Sequence, residues 1–227
     1  MRQFWRQRPF QEDVGELIVL AERLADRSRP ASSGQVAFFF DLVCPFSYLA
    51  AERIERVLGH VDWIPTAALN LHDDAHWSHS VATRHDAEAQ AAAFKLPLVW
   101  PDHPPAEAPS AMRAASYAVE VGAGAQFALA ASRLAFCGGF DLEDPEILAE
   151  AAAAAGIPLA ECLEAAGDVS RDGALHATGR GLRSRGVRRL PAIRVERTWF
   201  EGQGAMAGAT AALRTRQALG SPLAPAS

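Results

Sequence analysis

The sequence predicts an α/β domain in which a block of alanine-rich helices separates two sheet-forming halves. Three observations predict it. A compact apolar run at 36–42, "VAFFFDL", reads as a buried strand. Between about 70 and 170 most of the chain carries alanine-rich helical segments, without the β-branched runs of strands. After Gly186 the pattern turns to alternation, in "RLPAIRVERTWFEGQ".

The elements follow in order. Residues 1–34 are expected to form an N-terminal helical extension to a domain over 35–221. In the extension Val14, Leu17, Ile18, Ala21 and Leu24 recur at helical spacing among balanced charges, and "SRPASSG" supplies a linker. Its apolar run at 17–21 is too short for a signal-peptide core, and no span approaches a membrane helix, so a cytoplasmic protein is expected.

After the first strand, Pro45 suits a first helical turn, where its missing N–H costs nothing. Leu49, Ile54, Val57 and Leu58 continue one stripe to Gly59, so a single helix is predicted over 45–58. "HVDWIPTAAL" is a second strand ending near Pro65. Residues 70–104 read as irregular, with a short helix at 87–95 and the proline-rich "LPLVWPDHPP". Helices are expected at 111–121, 126–137, 145–155 behind the acidic "LEDPE", 158–166 and 172–185. Ile193 and Val195, a turn at Glu196 and Arg197, and Trp199 make a hairpin, and a last helix covers 206–219. Parallel strands require a crossover, and the helical block, about 70–170, fits inside one.

Composition excludes several classes. A net charge of −5 over 227 residues gives no basic footprint for nucleic acid. Cys44, Cys137 and Cys162 form no CxxC pair and no disulfide framework, which suits a reducing compartment. His72, His76, His79 and His85, with Asp73 and Asp74, include metal-like spacings. The glutamate of a zinc-protease motif is missing and the region is irregular, so it reads as a hydrophilic loop and no metal is expected.

The chemistry centres on Cys44. A thiol just ahead of a helix faces backbone N–H groups and the positive end of the helix dipole, which predicts a thiolate with a lowered pKa. Ser47, one turn on, is placed to donate a hydrogen bond to the sulfur. Cys44-Pro45-Phe46-Ser47 lacks a second thiol, so a local pair cannot resolve a mixed disulfide. What remains is monothiol exchange with a small thiol, activation of a bound thiol, or capture of an electrophile. Arg188 and Arg189 sit in an arginine cluster and offer forked donors for an anionic substrate. With 21 arginines and one lysine in the chain, most of that cluster reads as a solvated face. Cys137 and Cys162 read as packed thiols.

"FDLVCPFSYLA", "LPLVWPDHPP", "AMRAASYA", "FCGGFDLEDPEILAEAAAAAGI", "RGVRRLPAIRV" and "WFEGQ" occur in an order that resembles the DsbA-like branch of the thioredoxin superfamily. Within it, the chain is similar to the group holding 2-hydroxychromene-2-carboxylate isomerases and kappa-class glutathione transferases. The resemblance implies a thioredoxin-like fold, a mixed four-stranded sheet with an all-helical insertion between its halves. It implies a cis bond before Pro191, with the Leu190 backbone clamping an extended thiol ligand, and Pro45, Phe46, Tyr48 and Gln203 beside it. No covalently bound cofactor is implied. Glutathione or another small thiol is, together with a small-molecule or disulfide substrate and a homodimer. In the glutathione-using relatives the position matching Cys44 commonly holds serine, so the cysteine here leans towards redox chemistry.

The chain departs from that pattern in two places. After "WFEGQ", where those relatives often carry an acidic residue, it has Gly204 and Ala205. After the second strand it reads "ALNLHDDAHWSHSVATRHD". Three functions are therefore expected in order: a thiol-dependent oxidoreductase acting through Cys44 alone; a glutathione-dependent isomerase with an apolar pocket from Phe46, Tyr48, Trp77 and Trp100; and a catalytically silent binding module that uses the extension or the Pro191 edge.

Overall fold

β1 (Val36–Phe40) is buried along its whole length because it is central in the sheet and covered on both faces. It runs parallel to β2 (Asp62–Pro65) and antiparallel to β3 (Ala192–Val195), which pairs with β4 (Thr198–Glu201). The order is β2-β1-β3-β4. Register places Phe38 between Trp63 and Ile193. The Phe38 ring meets Trp63 edge-on, with centroids 4.9 Å apart, a favourable aromatic geometry. The fold is thus a thioredoxin-like mixed four-stranded sheet. The structure, a computed structural model, describes residues 36–71, 80–101 and 107–220. The expected extension at 1–34 lies outside them, as do His72, Asp73, Asp74, His76, Trp77 and His79.

The β1–β2 crossover corrects one expectation. The helix predicted over 45–58 is two, α1 (Pro45–Ala51) and α2 (Ile54–Leu58). Arg53 leaves helical geometry at φ −129°. Tertiary partners hold the break: Glu52 pairs with Arg133 at 2.6 Å, and the Arg53 guanidinium lies 3.6 Å over the Phe94 ring.

The helical block holds α3 (Val81–Phe94), α4 (Pro109–Glu120), α5 (Gly124–Gly138), α6 (Pro145–Ala155) and α7 (Leu159–Gly167). α3 starts six residues before the expected 87 because Ser80 Oγ caps it by accepting the Thr83 N–H at 3.2 Å. Alanine is what these helices bury: Ala111, Ala114, Ala115 and Ala118 on α4, Ala151 and Ala152 on α6. Small side chains let helices pack closely without cavities. α8 (Asp172–Ser184) returns the chain to the sheet, and α9 (Ala205–Gly220) closes it. Arg113 on α4 ties these layers, donating twice to Asp172 at 2.7 Å and once to the Ala166 carbonyl. Among the described residues, no helix is long and apolar enough to cross a membrane.

Candidate active site

The chain turns sharply where β1 ends, and Asp41 organises the turn. Its carboxyl accepts the Val43 N–H at 3.0 Å and the Ala68 N–H at 2.8 Å, joining this turn to the one after β2. Its own N–H donates to Ser47 Oγ, and its carbonyl accepts the Cys44 N–H. Cys44 then caps α1, its Sγ accepting the Ser47 N–H at 3.4 Å. The Cys44 S–H donates to the Leu190 carbonyl at 3.7 Å. The Leu190–Pro191 bond is cis, as the resemblance implied. The structure therefore brings Cys44, Ser47, Leu190 and Pro191 together from opposite ends of the chain.

The expected thiolate is corrected. Cys44 is 0 % exposed, and burial pushes its thiol up to about 12. The Asp41 charge pushes the same way, while the Ser47 hydroxyl and N–H pull down and do not prevail. α1 has seven residues, so its dipole is short, and removal from water outweighs it. Burial also lifts the Asp41 carboxyl to about 6, with Glu107 adding to the effect and the Val43 and Ala68 N–H groups opposing it.

A cleft of about 530 Å³ opens beside this centre, within the range of small-ligand pockets. Phe46, Arg189, Leu190 and Gln203 line it, joined by Asp86 and Glu201. Gln203 donates to Asp86 at 2.9 Å, while Arg189 makes no hydrogen bond or ion pair with another described residue. Among the described residues, the cleft thus presents a cation without a described partner, two carboxylates and an amide beside the Leu190 backbone.

Other expected residues are placed elsewhere. The Tyr48 hydroxyl donates to the Pro97 carbonyl at 2.8 Å and lies 3.3 Å from Cys137 Sγ, with its ring stacked on Phe136. It locks α1 to the helical layer and stays out of the cleft. Trp100 donates to Glu88 and carries Arg84 over its ring, so of the apolar pocket expected from Phe46, Tyr48, Trp77 and Trp100 only Phe46 lines the cleft among the described residues, and Trp77 lies outside them. The Arg188 guanidinium caps the end of α8 through the Arg183 carbonyl, because the last carbonyls of a helix lack internal partners. Its N–H donates to Glu201. Pro45 is buried at the start of α1, and Cys162 is buried. Sequence reasoning missed Asp41, Asp86 and Glu201. Asp41 carried a signal, a lone carboxylate within an apolar run; Asp86 and Glu201 are set only by tertiary contact.

No curated protein matches the chain in sequence. Among solved structures it is similar to a 2-hydroxychromene-2-carboxylate isomerase, with a TM-score of 0.69 at 15% identity, over 82% of this chain and 99% of that one. It is also similar to a probable DsbA oxidoreductase from Streptomyces coelicolor, with a TM-score of 0.64 at 21% identity, over 84% and 93% of the two chains. A third is the cytosolic disulfide reductase DsbM from Pseudomonas aeruginosa with GSH, with a TM-score of 0.56 at 20% identity, over 81% and 98%. At such identities the likeness speaks for the fold. The sequence profile of the DSBA-like thioredoxin domain matches residues 35–219, and the chain belongs to that family.

Proposed function

We propose that the protein is a thiol-dependent oxidoreductase in which Cys44 is the reacting sulfur and a small thiol such as glutathione is the co-substrate. The observation that carries this reading is the Cys44 thiol lying against the Leu190 carbonyl, next to a charged cleft of ligand size. The Cys44 thiol gives its proton to water, and its thiolate attacks the glutathionyl sulfur of a mixed disulfide, forms its own mixed disulfide and releases the substrate thiolate, which takes a proton back from water. A free small thiol then attacks that bond, restores the Cys44 thiol and leaves as a symmetric disulfide. Overall one mixed disulfide and one small thiol become one thiol and one symmetric disulfide. No second protein thiol is needed, in keeping with Ser47. Arg189 is the donor for a ligand carboxylate, and Asp86 and Glu201 face a ligand ammonium. The free cysteines suit the reducing cytoplasm.

One observation favours a second reading, a glutathione-dependent isomerase. A buried neutral thiol can act as a hydrogen-bond donor to the sulfur of a bound thiol, without itself forming a bond. Cys44→Ser separates the two. The oxidoreductase loses its turnover of a glutathionylated substrate entirely. The isomerase type keeps its thiol-dependent activity, because a hydroxyl also donates. A protein that neither binds a small thiol nor turns over in either form contradicts both.

A further inference from the structure

Cys44 is sealed, yet it sits on a turn held by one buried carboxyl. Asp41 is 6 % exposed, and it is the single side chain that accepts from both Val43 N–H, next to Cys44, and Ala68 N–H, after β2. Beside it lies a cavity of about 120 Å³ bordered by Asp41, Glu107, Met112, Asp172 and His176. That volume holds several waters, so a hydrated state of the Asp41 carboxyl is within a small movement.

We propose that Asp41 is a positioning residue that gates Cys44: while protonated it holds the Cys44 turn closed against the turn after β2, and its ionisation releases the two turns and admits water to the thiol.

The physical ground is the cost of a buried carboxylate. Two N–H donors do not offset the loss of water, so the closed turn prefers the neutral acid. Opening returns Asp41 to water, where it ionises freely. Raising the pH therefore favours the open turn, and the gain is complete once the closed form is also ionised. Opening hydrates Cys44 as well. With burial removed, the Ser47 hydroxyl and N–H favour the thiolate, against an Asp41 charge that the admitted water screens. Among the described residues, the titratable and charged groups facing Asp41 are Cys44 on its own turn, Glu107 ahead of α4, and Asp172 and His176 on α8. Arg113 is held by Asp172, and His176 Nδ1 lies 2.8 Å from the Asn70 amide nitrogen. The gate serves the reading in which Cys44 is the reacting sulfur, but its test reads backbone amides and is decided separately.

The test is amide hydrogen exchange of the full chain at Val43 and Ala68 between pH 4 and pH 7, with each rate divided by its intrinsic rate to give an opening constant. In the native sequence that constant rises by roughly fiftyfold over the range and then levels. Asp41→Asn abolishes the rise, Asp41→Glu restores it, and His176→Gln leaves it in place. A native opening constant that stays flat overturns the gate, whether or not the variants fold. So does a rise that survives in Asp41→Asn or vanishes in His176→Gln. Whether Cys44 exchanges with a small thiol is answered independently by the Cys44→Ser comparison.

Discussion

The thiol of Cys44 donates to the carbonyl of Leu190 at 3.7 Å, joining residues 146 positions apart. This contact puts the single candidate sulfur against the loop that begins the second half of the sheet. The carbonyl accepts from the protonated sulfur, and burial is what keeps that sulfur un-ionised.

With the thiol raised to about 12, folded Cys44 is mostly un-ionised at neutral pH. Alkylation at pH 7 is expected to be about a thousandfold slower in the folded protein than at the same cysteine in denaturant. Peptide mass spectrometry after timed quenching checks this. A folded rate equal to the denatured one refutes the burial argument.

Arg113→Ala should lower stability by roughly 2–4 kcal/mol, because the guanidinium is largely buried and its loss strands Asp172 and the Ala166 carbonyl. Urea unfolding measures it. Asp172 is held below its ordinary value chiefly by the hydrogen bond from Arg113. Its contribution is present above the unfolded carboxylate range and is lost as pH falls through the depressed folded value. The deficit of the variant should accordingly shrink in acid.

Gly179→Ala tests the seat of α8. A methyl there would lie 2.8 Å from the Ala67 carbonyl and 2.9 Å from Asn70 Cβ, so helix and turn must separate. A loss of about 1–3 kcal/mol is expected, read as a lower denaturation midpoint at unchanged slope. Unchanged stability would mean the turn yields freely.

Arg189→Ala removes a cleft cation that has no partner among the described residues. Glutathione binding, measured by calorimetry, should weaken by roughly tenfold, the scale of one charge-assisted hydrogen bond. The amide exchange of Val43 should not change. Binding that is indifferent to Arg189 places the ligand elsewhere.

Much of the fold was legible in the sequence, because apolar period and terminators are local. The run at 36–42 contains β1, and 145–155 is α6 to the residue. The break at Arg53 was not legible: it depends on Arg133 and Phe94, far along the chain. The position of Cys44 before a helix was readable from "VCPFS", but its ionisation was not. A helix start argues for a thiolate, and only the packed structure reveals that burial opposes it. The cleft combined both kinds of information. Phe46, Leu190, Arg189 and Gln203 were named from sequence, while Asp86 reaches the site through Gln203, 117 residues away.

The most direct test of the central claim is to incubate the folded protein with oxidised glutathione at pH 8 and map every cysteine by peptide mass spectrometry. The account predicts one glutathionyl group on Cys44, removed by free glutathione and absent in Cys44→Ser. An unmodified Cys44 in a protein that still turns over a glutathionylated substrate would contradict it.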